Sequence, residues 1–150
     1  SNTLSTTAKG VTVTSSTNLA LNRWYHVAAV YNGGASSLSL YLNGRLVGSS
    51  TAGALAGTLA ASTARFTLAK NATASANYFK GGIDEVRVFG NALSATQIQR
   101  MMCQKIENST NSSTAPISGS LFTKNIDGTA LTWTELLTYF RFDNYRDDVI

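Results

Sequence analysis

Residues 11–14 read Val-Thr-Val-Thr, and this alternation of apolar and polar side chains returns along much of the chain. A period of two is the mark of a strand with one face in a core and the other toward water. Over residues 24–31 it puts Trp24, His26, Ala28 and Val30 on one face, and Tyr25, Val27, Ala29 and Tyr31 on the other. Both faces are mostly apolar, which predicts a central strand covered on both sides. Leu38-Ser-Leu-Tyr-Leu42 follows a Gly33-Gly34 turn, and Asn43-Gly44 separates it from Arg45-Leu-Val47. Asn-Gly between apolar runs predicts a type I′ hairpin, because both residues tolerate positive φ. Further strands are predicted at 65–69 and 83–89. The Ala/Gly/Ser/Thr stretch at 49–64, anchored by Leu55 and Leu59, reads as a long surface loop or a weak strand near Leu59.

The period changes after Gly90. Ser94 is placed to cap a helix, with Gln97 as its capping-box partner, and Ile98, Met101 and Met102 share one face. The helix is expected to fade near Lys105. Residues 108–116 are Asn/Ser/Thr-rich and hold the only proline, the composition of a linker. Apolar character resumes at Leu131, Trp133 and 136–142, before an Asp-rich ending.

Composition sharpens the picture. Only 13% of residues are charged, roughly half the usual share. A surface of hydroxyls and amides suits secreted and cell-surface β-proteins, so an extracellular location is expected. Residues 1–107 carry nine Lys/Arg against three Asp/Glu, whereas residues 108–150 carry three against five. The basic residues are scattered over separate strands and loops, with no run and no RNP-like aromatic pattern, which argues against nucleic acid as a partner. No apolar run approaches the length of a membrane span, so membrane insertion is not expected. Cys103 stands alone. It reads as a buried free thiol behind the helix, or as one half of a bridge to a cysteine outside this sequence.

Four motifs in order carry a resemblance: Trp24-x-His26-Val27-Ala28; 40–47, Leu-Tyr-Leu-Asn-Gly-Arg-Leu-Val; Phe79-x-Gly81-Gly82 followed by Ile-Asp-Glu-Val-Arg-Val-Phe at 83–89; and Ala92-Leu93-Ser94-Ala95-x-x-Ile98. Residues 4–105 thereby resemble the laminin-G-like, concanavalin A-like domains of bacterial surface proteins, with pentraxins as more distant relatives. The resemblance implies an all-β, antiparallel two-sheet jelly-roll sandwich with one short C-terminal helix. In that family the tryptophan strand lies in the second half of the domain, and members open on an apolar-aromatic strand followed by an Asp-rich turn, as 136–148 does here. The expected organisation is therefore the C-terminal part of a sandwich at 1–107, a polar linker at 108–130, and the opening strand of a following repeat at 131–150. That last segment would otherwise complete the same sandwich.

Chemistry is sparse. Glycoside hydrolysis needs two carboxylates across a cleft. The matched region offers only Asp84, Glu85 and Glu107, and adjacent strand residues such as Asp84 and Glu85 point to opposite faces. The Glu-x-Asp-x-x-Glu strand of related glucanases is absent, so no enzymatic activity is expected. His26 is the only histidine and reads as a core residue, as does Trp24. Tyr78, Phe79 and Asn71, in a loop, are the candidate ligand contacts. In related sandwiches an Asp at the position of Asp84 often helps bind calcium, so Asp84, Asp143 and Asp148 are the candidate Ca²⁺ ligands. Asn71, Asn108 and Asn111 also fit the N-glycosylation pattern. The expected role is an adhesion or spacer repeat of a large secreted or surface protein. A carbohydrate-binding module of a larger enzyme, and a unit assembling into filaments by strand exchange, are the alternatives. Expected partners are a glycan, a cell-surface or matrix protein, or neighbouring repeats of the same chain.

Overall fold

The computed structural model describes residues 2–63, 66–70, 78–107, 118–119 and 131–143. Two antiparallel layers form first. Strand β1 (Thr3–Ala8) pairs with β2 (Val11–Asn18), and the chain reverses at Lys9 and Gly10, both at positive φ (46° and 76°). β3 (Val27–Asn32), β4 (Ser37–Leu42) and β5 (Arg45–Thr51) follow as a meander in the order β3-β4-β5. The β4–β5 turn is the predicted Asn43-Gly44, at φ 49° and 73°. Val13 of β2 packs against Leu38, Leu40 and Leu55, joining the two layers in one core. Gly48 lets them approach, since a Cβ there would lie 2.8 Å from the Thr14 carbonyl oxygen. The Tyr31 hydroxyl closes one end by donating to the Leu55 carbonyl at 2.8 Å.

The remaining described elements are β6 (Val86–Phe89), α1 (Ala95–Met101), β7 (Ile106–Glu107), β8 (Ser118–Gly119) and β9 (Leu136–Phe140). α1 starts as its sequence predicts. Ser94 Oγ accepts from the Gln97 N–H at 3.2 Å, and Gln97 Oε1 accepts from the Ser94 N–H at 2.6 Å. These bonds satisfy two donors that a helix start leaves without intrahelical partners. β6 pairs antiparallel with β9, and a second core forms from Met101, Ile106 and Leu131, flanked by Phe89, Leu93, Trp133, Leu136 and Tyr139. The helix also touches the first sheet, where Gln99 Nε2 donates to the Gly44 carbonyl at 3.0 Å. The architecture is all-β, in layered antiparallel sheets with one short helix, as the sequence implies.

Four details depart from the sequence pattern. β3 begins at Val27 and, among the described residues, lies at the edge of its sheet; Trp24 precedes the strand and is 73% exposed rather than in the core. Residues 66–70 are not a strand; Ala69, at φ 62°, breaks the extended backbone there. The strand expected over 83–89 starts only at Val86, because Glu85 sits at φ 52°. Cys103 lies past the helix end and is exposed, not buried behind it.

Candidate functional site

The β6–β9 ladder begins with Val86 opposite Phe140. On each strand, the chain beyond that pair turns through a left-handed residue: Glu85 at φ 52° before β6, and Phe142 at φ 52° after β9. Non-glycine residues in this region cost roughly 1–3 kcal/mol each, and persist where surrounding contacts impose them. Here the two turns bring carboxylate oxygens of Asp84, Glu85 and Asp143 within 4.8 Å of one another. Strand alternation predicts Asp84 and Glu85 on opposite faces. The positive φ at Glu85 overrides it.

Each acid has partners. Asp84 Oδ1 accepts from the Glu85 N–H at 2.9 Å. Glu85 Oε2 pairs with the Arg87 guanidinium and accepts from the Tyr139 hydroxyl at 2.6 Å. Asp143 Oδ2 lies 3.0 Å from Lys105 Nζ and 2.7 Å from Arg141 Nη2. The hydrogen bond from Lys105, chief among these, holds the Asp143 carboxyl below the usual carboxylate range, with Arg141 adding to it. Burial, then the bond to Glu85, pushes the Tyr139 phenol up. Burial, and secondarily the nearby Arg87 charge, lowers the His26 imidazole, which keeps it neutral at pH 7.

Arg87 ties this corner together. Its side chain is only 9% exposed, its Nη1 donates to the Met101 carbonyl at 2.8 Å, and its Nη2 also donates to the Gln104 carbonyl. The guanidinium stands 5.3 Å from the Tyr139 ring centroid, so the cross-strand pair Arg87–Tyr139 is also a cation–π contact. One signal in the sequence could have found it: a lone charge inside Val86-Arg87-Val88-Phe89, an otherwise apolar strand.

The trio fits a hard divalent cation in one respect. Glu85 Oε1 is buried and has no hydrogen-bond partner among the described residues. An all-oxygen donor set is of the calcium type. Asp84 and Asp143 are thus brought together, and Glu85, which sequence reasoning left out of the ligand set, joins them. Asp148 lies outside the described residues.

A second feature is aromatic. Tyr78 and Phe79 are 60% and 58% exposed, as their loop position predicts. The Phe79 ring lies over Gly81 and the Trp24 ring over Gly82, each in the space a Cβ would fill, at 2.8 and 2.7 Å. Two glycines therefore seat two exposed rings on bare backbone. Phe66, Phe140 and Phe142 form a separate stack, with centroids 6.3 and 5.9 Å apart. Asn71 lies outside the described residues.

The family described as the concanavalin A-like lectin/glucanases superfamily, of the laminin-G type, matches residues 2–99. The chain belongs to that superfamily. Among solved structures, this laminin-G-like chain is similar to the 2.1 Å crystal structure of an S-layer domain-containing protein (residues 221–444) from Clostridium thermocellum. Identity is 30% with a TM-score of 0.49, over 61% of this chain and 45% of that one. The laminin-G-like chain thus spans less than half of that relative's length. No curated protein matches it. Within the site, Asp84, Glu85 and Arg87 lie inside the matched residues, while Lys105, Tyr139 and Asp143 lie beyond them.

Proposed function

We propose that this chain is a non-catalytic adhesion or spacer module of a secreted or cell-surface protein. The observation that carries the reading is the exposed aromatic surface, with Trp24 and Phe79 laid over Gly82 and Gly81 and Tyr78 beside them. Large rings held on rigid backbone make contacts at low entropic cost. The carboxylates support a structural role. A glycosidase needs an acid with a raised pKa. Here the Asp143 carboxyl is lowered, and both Glu85 and Asp143 are tied to cationic side chains. Beads coated with the protein should bind cells or matrix, and Trp24→Ala with Phe79→Ala should cut retention about tenfold, as loss of hot-spot aromatics does. Unchanged retention in the double variant would sink the reading. The same ring pair favours a carbohydrate-binding module as the second reading, since exposed ring faces stack on sugars. Binding of the parent protein on a glycan array, lost in the double variant, would select it.

Calcium is the ion Asp84, Glu85 and Asp143 would hold, and its contribution would be to satisfy the buried Glu85 Oε1 and tie the two turns together at the β6–β9 end. Calcium at a hundredfold excess over Kd should stabilise the fold by about 2.7 kcal/mol, raising Tm by about 5–10 °C. Scanning calorimetry in calcium, magnesium and chelator checks this. Asp84→Asn should abolish the shift, and equal Tm in calcium and chelator would refute the site.

A further inference from the structure

β6 draws its only strand partner among the described residues from far along the chain, across about 46 residues, and from outside the family-matched stretch. The acceptor side lies mainly within residues 85–107: the β6 edge, Phe89, Leu93, Met101 and Ile106, with Glu85, Arg87 and Lys105 above them. From outside this stretch, β8 pairs with β7 and Phe66 stacks on Phe140. The donor side is complete within residues 131–143 and contributes Leu131, Trp133, Leu136, Tyr139 and Asp143. The two sides meet through main-chain pairing and a small set of side-chain contacts. Backbone pairing holds β9, and the Gly90 N–H extends it by donating to the Glu135 carbonyl at 2.8 Å. Side chains then select. Glu85 accepts from the Tyr139 hydroxyl, the Ile106 N–H donates to that hydroxyl at 3.3 Å, and Lys105 receives Asp143. This is strand addition to a sheet edge, with pockets that read alternate side chains.

We propose that the β6–α1–β7 groove is a strand-acceptor site that also takes the 131–143 segment of a second copy of this chain, coupling copies in series. β8 pairs with β7, so the tether to the donor segment is residues 120–130. About 11 residues reach up to roughly 40 Å when extended, enough to carry the segment out of its own groove and into that of an adjoining copy. A short tether gives its own segment an effective concentration of about a millimolar. Self-occupancy therefore prevails in dilute solution, and exchange between copies prevails where the chain is concentrated or arrayed. This goes beyond the adhesion reading: strand exchange can fail while adhesion holds, and the reverse.

The test uses the full chain with a protease site inserted between residues 120 and 130, past the strand that pairs with β7. After cutting, a fluorescent peptide of residues 131–150 is added and its anisotropy is followed. The peptide should displace the resident segment. Its Tyr139→Phe form should bind about 10- to 100-fold more weakly, the cost of a hydrogen bond to a charged group. A peptide that does not enter, or that enters regardless of Tyr139, overturns the recognition. In parallel, uncut copies carrying donor and acceptor dyes are mixed. Energy transfer should grow with concentration toward the millimolar range and disappear when both copies carry Leu131→Asp. Transfer absent at every concentration overturns the coupling between copies.

Discussion

Arg87→Met should lower the free energy of unfolding by about 3–5 kcal/mol, the usual cost of removing one partner of a buried pair. Three groups lose a donor at once: Glu85, which is 25% exposed, and the carbonyls of Met101 and Gln104 at the end of α1. The Tyr139 ring also loses its cation. The Met101 carbonyl keeps the Gln104 N–H at 3.2 Å and Glu85 keeps the Tyr139 hydroxyl at 2.6 Å, but the Glu85 charge loses its cation and the Gln104 carbonyl, past the end of α1, loses its guanidinium donor. For a chain of this size the loss corresponds to a fall in Tm of about 10 °C. Arg87→Lys keeps the charge but not the planar fork that serves several acceptors, so it should recover only a minor part. Arg87→Met combined with Glu85→Gln should recover more, by removing the stranded charge. Denaturant titration of the four proteins decides the matter. A loss below about 1 kcal/mol for Arg87→Met would mean that the pair behaves as a surface ion pair.

What could be read from the sequence was local. Asn43-Gly44 specifies its turn because the two residues themselves adopt positive φ, and Ser94 with Gln97 specifies a helix start because both bonds close within one turn. Trp24 was misplaced because edge or centre depends on how many strands flank β3, which alternation along one strand does not encode. Glu85 was misplaced for a different reason. Its neighbours read as uninterrupted strand, yet contacts with Arg87 and Tyr139 hold it in the left-handed region. The acids could be nominated one by one as calcium ligands. Their convergence could not, since it rests on a pairing between distant strands and on two backbone reversals. The pairing of β6 with β9 was open for the same reason: two strands of compatible pattern leave unstated whether they meet within one copy or between two.

That division between local and distant contacts sets the outcome of Leu131→Asp. Leu131 is 4% exposed and sits against Met101 and Ile106, beyond the linker-like stretch. Truncating such a leucine costs about 2–5 kcal/mol, and an unpaired carboxylate in its place costs more. The chain has a cheaper route than keeping that charge buried, which is to release residues 131–143 from the groove. The penalty is then limited to the docking free energy of the segment, and the damage is local. Val13, Leu38, Leu40 and Leu55 form a core that shares no residue with the one Leu131 enters. Hydrogen exchange should therefore speed up in β9, β6 and the end of α1 while β1–β5 keep their protection, in the manner of a separate cooperative unit. Loss of protection across all strands together would mean that the two cores unfold as one. In that case the C-terminal segment is an integral strand of the fold rather than an occupant of a groove, and exchange between copies would require the whole chain to unfold first.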